Sequence, residues 1–223
     1  MKLLSMQIAL FTGGLIGRPD LVMSEINAKL GSVFDTMPNI LNLPPEIPAE
    51  IPLVQTKSSD SIYSLNVSRN RIDLIISPQY EKANTPLEMF KEYRYSIDKY
   101  CKAALNITDL VRIGIIITLF QESEENTRAV YEKYLNIPFS SDCVEINFRT
   151  NHQSISKGIV YNNIKTVEAG ELHVENMVYK GVIIQLDTNN VPENGVTIST
   201  EMINSLLVQV SGKIKPSALK ELI

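Results

Sequence analysis

Residues 63–76 read YSLNVSRNRIDLII. Tyr63, Leu65 and Val67 alternate with Ser64 and Asn66, residues 68–70 are polar, and Ile72, Leu74 and Ile76 alternate with Asp73 and Ile75. A period of two on both sides of a tight turn predicts an antiparallel hairpin with one buried face. Just downstream, Thr85-Pro86-Leu87-Glu88 combines a hydroxyl N-cap, proline at the first helical position and a glutamate three residues after the cap. That is the signature of a helix start. The helix is predicted to run to about Leu105, with Phe90, Ile97, Cys101 and Ala104 on its apolar face.

Upstream, Met6, Ile8 and Leu10 alternate with Gln7 and Ala9, and Gly13, Gly14 and Gly17 follow. Pro19-Asp20 then opens a stretch with Val22, Ile26, Leu30 and Val33 near helical spacing, so a strand, a glycine turn and a helix over about 20–34 are expected. Residues 37–52 carry Pro38, Pro44, Pro45, Pro48 and Pro52, which deny that stretch long regular elements and make it a surface arm. Downstream, the β-branched run 110–120 lacks clean alternation and reads as a central strand covered on both faces. A short helix over 123–135, opened by Glu124 and Glu125, comes next. Three strands follow: one with Val144, Ile146 and Phe148, then 158–167 and 174–186. A last helix carries Ile203, Leu206, Leu207 and Val210, and Pro216 ends or kinks it.

The order is β-α, proline-rich arm, β-β-β-α-β-α-β-β-β-α, which predicts an α+β protein with a mixed, largely antiparallel sheet and helices packed on it. Its parts are a strand-helix and proline arm over 1–52 and an α+β main body over 53–223, or one continuous domain. No internal sequence repeat is visible.

The chain has 223 residues, of which 44% are hydrophobic, enough for a sizeable core, and 21 basic against 25 acidic residues give a net charge of −4. General nucleic-acid binding is not expected from such a balance. Cys101 and Cys143 imply no disulfide framework, and no apolar run approaches the roughly 18 residues of a membrane span. The MKLLSMQIAL start is too short and polar for a signal peptide, so a cytoplasmic location and no membrane partner are expected.

Four groups of residues are candidate sites. Gly13, Gly14 and Gly17 with Arg18 lie between a strand and a helix, where backbone amides and a helix N-terminus can hold an anion, although they match neither phosphate-loop pattern. Glu171, His173 and Glu175 alternate, and would project from one strand face as metal ligands or as a tuned base, or simply face solvent. Tyr93, Tyr95, Tyr131 and Tyr134 sit on two helices and suit either an interface or a half-buried rim. Arg112, within an apolar strand, calls for a carboxylate partner, with Asp73 and Asp187 as candidates, or for a ligand. Cys143 takes the outward phase of its strand, and Cys101 the core phase. Lys213, Lys215 and Lys220 suit the negative end of the last helix. No nucleophile motif is present, and no catalytic residue or cofactor is expected.

Ile62-Tyr63-Ser64-Leu65, Arg71-Ile72-Asp73-Leu74, Tyr80, Phe90 and Val111-Arg112-Ile113-Gly114, in that order, resemble a sporadically distributed bacterial protein family of about this length with no established function. The resemblance spans most of the chain and implies a fold outline, but no catalytic residue. Two functions follow from these readings. One is a non-enzymatic interaction module, a subunit or accessory of a larger cytoplasmic bacterial assembly, defence-related by the family's distribution, whose partner is another protein or a second copy. The alternative is a small-molecule or anion-binding protein, or a weakly marked metal-dependent hydrolase.

Overall fold

The structure is a computed structural model that describes residues 1–44, 46–80, 84–135, 142–143, 145–193 and 195–222. Its elements are β1 (Lys2–Thr12), α1 (Pro19–Leu30), β2 (Asn39–Ile40), β3 (Val54–Lys57), β4 (Tyr63–Val67), β5 (Arg71–Ile76), α2 (Pro86–Leu105), β6 (Leu110–Glu122), α3 (Asn126–Leu135), β7 (Asn147–Ser156), β8 (Ile159–Val174), β9 (Met177–Asn190), α4 (Thr200–Lys213) and α5 (Pro216–Leu219). The strands form one nine-stranded antiparallel sheet in the order β2-β3-β4-β5-β1-β6-β9-β8-β7, so the class is α+β as the patterning predicts. β1 lies between β5 and β6, so the segments 1–52 and 53–223 share this sheet.

The sheet divides into two units of the same topology. β1-α1-β3-β4-β5-α2 and β6-α3-β7-β8-β9-α4 each run strand, helix, three-stranded meander, helix, and in each the first strand pairs with the last strand of the meander. β1 and β6 pair antiparallel, which places an approximate two-fold axis normal to the sheet between them. The helices follow it loosely: α1 packs on β3 and β4, α3 one strand nearer the axis on β8 and β9, and α2 meets α4 across the axis, where Arg94 donates to Asn204 Oδ1 at 3.1 Å.

Alternation builds the core. Met6, Ile8 and Leu10 face the helices from β1, Leu65 and Val67 from β4, Ile72, Leu74 and Ile76 from β5, Ile113, Ile115, Ile117 and Leu119 from β6, and all are buried. Each such side chain contributes about 1.5–3 kcal/mol by leaving water. Thr85 and Glu88 close the capping box of α2, and Tyr100 on that helix donates to Ile72 O at 2.9 Å. Gly181 is fixed by close approach, since a Cβ there would stand 2.4 Å from Gln121 O and from the Phe120 ring.

Some expectations change. The first helix ends at Leu30, four residues early, because Gly31 takes the left-handed C-cap conformation at φ 84°. The last hairpin turns at Glu175 and Asn176, so Val174 ends β8 instead of opening the last strand. Glu124 and Glu125 precede α3 rather than forming its first turn. β6 is central but covered by helices on one face; Arg112, Ile116 and Thr118 on the other are half-buried, and no helix of the described residues covers them. Val144 lies outside the described residues.

Candidate functional site

The glycine turn folds inward at two points. Gly13 N donates to Asp109 O and Ile16 N to Arg69 O, while Thr12 Oγ1 donates to Gly14 O. Arg18 forms a two-pronged pair with Asp20 at 2.9 and 2.6 Å, so the helix start carries its own carboxylate and the cation its own partner. Gly13, Gly14 and Gly17 thus share one turn, and Arg18 follows it as the exposed N-cap of α1.

Glu171 and His173 lie near the tip of the β8–β9 hairpin with Nε2 and Oε2 3.9 Å apart, both largely in solvent. Glu175 leaves their row, because it occupies the turn at φ 51°. Among the described residues no group of three or more His, Cys, Asp or Glu side chains could hold a metal ion.

The four tyrosines separate. Tyr93 is 4% exposed and meets Tyr63 edge-on at 5.9 Å, so it belongs to the core and not to a docking surface. Tyr95, 76% exposed, points outward from the same helix. Tyr134 stacks on Phe148 at 4.6 Å and donates to Leu222 O, tying α3 to β7 and to the last residues described. Tyr131 is half-buried. Cys101 is buried, and burial pushes its thiol up to about 12; Cys143 is partly exposed and donates to Glu145 O.

Arg112 finds neither expected carboxylate directly. It stands on the helix-free face of the sheet, with its guanidinium over the Phe11 ring at 4.9 Å and one arm donating to Asn189 Oδ1 at 3.1 Å. Asn189 in turn donates to Asp187 Oδ1 at 2.9 Å, so the charge is relayed through an amide. On the other side of Phe11, Arg71 lies over the ring and pairs with Asp73 at 2.8 Å, and Gln7 donates to the same carboxylate. Burial lifts the Asp73 carboxyl above the ordinary range, against the pull of Arg71. Two arginines and two aspartates balance along this row, which crosses β5, β1, β6 and β9 and leaves buried only Arg112 Nε without a partner.

Two features escaped the sequence. The first is the edge. β2 covers the outer side of β3 with a two-residue ladder, extended by Leu41 N to Leu53 O and Thr36 N to Lys57 O, and Pro38 lies within that strip. At the opposite end β7 runs for ten residues, seven of them exposed, and no described residue pairs with its outer edge. In the second unit's counterpart of the proline arm, the described residues 143, 145 and 146 make no ladder bond to it. The second is Lys213. Instead of fraying at the end of α4, it turns onto the sheet and donates to Asn163 Oδ1 and Thr188 Oγ1. Burial brings its ammonium down to about 8 despite the attraction of Asp187. Period-two alternation could have flagged Asn163 and Thr188, two polar residues on the inward phase of their strands.

No family model matches the chain, and no curated protein matches it. Among solved structures, the crystal structure of the di-domain ARO/CYC StfQ from the steffimycin biosynthetic pathway aligns over 98% of this chain and 96% of that one, at 10% identity and a TM-score of 0.23. A likeness that slight carries no argument about fold or function. No helix of the described residues is long and apolar enough to cross a membrane.

Proposed function

We propose that the protein is an interaction module, a subunit or accessory of a larger bacterial assembly, that docks an extended segment of a partner along the outer edge of β7. The observation that supports this reading is the unequal finish of the two sheet ends. An exposed edge is a template for another strand, and folded proteins blunt such edges with short strands, prolines or charges. β2 and the proline arm do this at one end; β7 offers ten residues, without proline and with Arg149 as its one permanent charge. Ile155, 75% exposed, supplies an apolar contact beside the main-chain bonds that strand addition uses.

The full chain, purified with its partner at moderate salt, is to be compared with Ile155→Lys and with Ile40→Lys at the blunted edge. The reading expects a stoichiometric partner or second copy to be lost in I155K and kept in I40K, with amide exchange along β7 slowed only in the complex. Both residues are exposed, so the two variants should unfold within about 0.5 kcal/mol of the parent. A monodisperse, partner-free protein, or a complex that I155K leaves intact with β7 amides unprotected, would overturn it.

A further inference from the structure

Between β7, β8 and β9 and the stretch from Lys213 to Leu222 lies a cavity of about 350 Å³ lined by Thr150, His152, Lys165, Leu186, Lys213 and Leu222 among others, near the lower bound for small-molecule sites. The strand register explains its chemistry. On the helix-side face Thr150 stands opposite Lys165, His152 opposite Asn163, and Asn163 opposite Thr188, so five polar residues adjoin one another across β7, β8 and β9. Lys165 and Asn163 are two residues apart on one face, about 6.6 Å along the strand.

The donors are only partly used. An ammonium has three N–H groups, and Lys213 gives two of them to Asn163 and Thr188. Lys165 is held by ring faces, 4.8 Å from the Tyr134 centroid and 5.8 Å from that of Phe148. Among the described residues neither ammonium has a carboxylate within 4 Å, and burial lowers the proton affinity of both. Thr150 Oγ1, opposite Lys165, is buried without a hydrogen-bond partner. Two half-buried cations with spare donors and an orphaned hydroxyl form an incomplete polar cluster, and an anion completes it.

We propose that this cavity binds a small organic carboxylate, with its anionic head between Lys165, Lys213 and Thr150 and its apolar body against Leu186, Ala218 and Leu222. The lining selects that class over inorganic phosphate for two reasons. Glu221 faces the same cavity and penalises a second negative charge, and the aliphatic wall offers a phosphate nothing. The site lies on the inner face of the sheet and is separate from the outer edge of β7, so it stands or falls independently of the docking reading.

The test titrates the full chain with octanoate, benzoate and inorganic phosphate at constant ionic strength, read by calorimetry and melting temperature. Saturable binding of octanoate is expected, weakened at least tenfold in Lys213→Met and in Lys165→Met and unchanged in Lys220→Met. Since the two cavity variants could misfold, the same question is put to the unsubstituted protein by reductive methylation with mass-spectrometric readout. Octanoate should slow modification at Lys165 and Lys213 and leave Lys220 untouched. No saturable octanoate binding, equal binding of phosphate, or no protection of the two lysines would each overturn the proposal.

Discussion

Residues 2–105 and 110–213 fold on one plan, yet they place their polar residues differently. In the first unit the inward phase of β4 and β5 is aliphatic apart from Tyr63, and the polar residues Asp73, Arg71 and Gln7 lie on the helix-free face. The second keeps aliphatic inward residues at Val167, Val182, Ile184 and Leu186 and turns polar at Thr188, Asn163, Lys165, His152 and Thr150. The helices above differ to match: α2 has twenty residues with a closed capping box, and α4 has fourteen with a single cap bond. One copy of the topology is therefore finished as a core and a blunted edge, the other as a cavity and an edge that the described residues leave unpaired. The same plan serves stability in one unit and exposes chemistry in the other.

Leu74 and Leu186 occupy matching strands, β5 and β9, and give the strongest test of this contrast. Leu74→Ala should cost about 3–4 kcal/mol in urea unfolding because it opens a cavity in packed surroundings. Leu186→Ala should cost about half as much, because Leu186 already borders empty space and loses fewer contacts. Equal costs would mean that the second unit is as closely packed as the first.

A titration sharpens the contrast next. In the fold the Lys213 ammonium sits at about 8, against 10.5 for an ordinary lysine, so between those values the unfolded chain binds the proton that the folded one has released. Stability must then rise with pH across the window, by about 1–3 kcal/mol once the partial solvation of the group is allowed for. Asn163, Thr188, Lys165, His152, Glu221 and Asp187 are the polar and charged groups around it. Comparing the parent with Lys213→Met isolates the effect, since that increment should vanish in the variant. A parent and variant with parallel profiles would place Lys213 in solvent.

The smallest effect concerns the two equivalent caps. Thr85→Ala removes one half of a reciprocal pair and should cost about 1 kcal/mol, whereas Ser199→Ala loses the cap bond to Met202 N and the contact with Glu201 and should cost about 0.5 kcal/mol. A larger loss at Ser199 would show that α4, not α2, limits cooperative unfolding.

Legibility in the sequence followed the range of the interactions. The hairpin at 63–76 and the helix start at Thr85 depend on residues within a few positions of each other, and both stand where the pattern puts them. The duplicated topology left no repeat in the sequence, because a buried strand face demands only that alternate residues be apolar, which many unrelated sequences satisfy. Lys213 suits a helix C-terminus, and only the register of β8 against β9, which sets Asn163 beside Thr188, turns it inward. An arginine in an apolar strand predicts an aspartate beside Arg112, but Phe11 and Asn189 reach it through pairings on opposite sides of β6. Tyr93 and Tyr95 share a helix and differ by two positions, enough rotation to bury one ring and expose the other.

By itself, then, the sequence determined the α+β class, the run of elements, the apolar faces of β1, β4 and β5 and the cap of α2, because burial and capping act on neighbours along the chain. The tertiary structure alone decided that two units meet at β1 and β6, that the β2 edge is closed while the described residues leave β7 open, and that two lysines face a common cavity. Those outcomes rest on contacts between residues tens of positions apart, whose partners are set by strand order and register rather than by any local pattern.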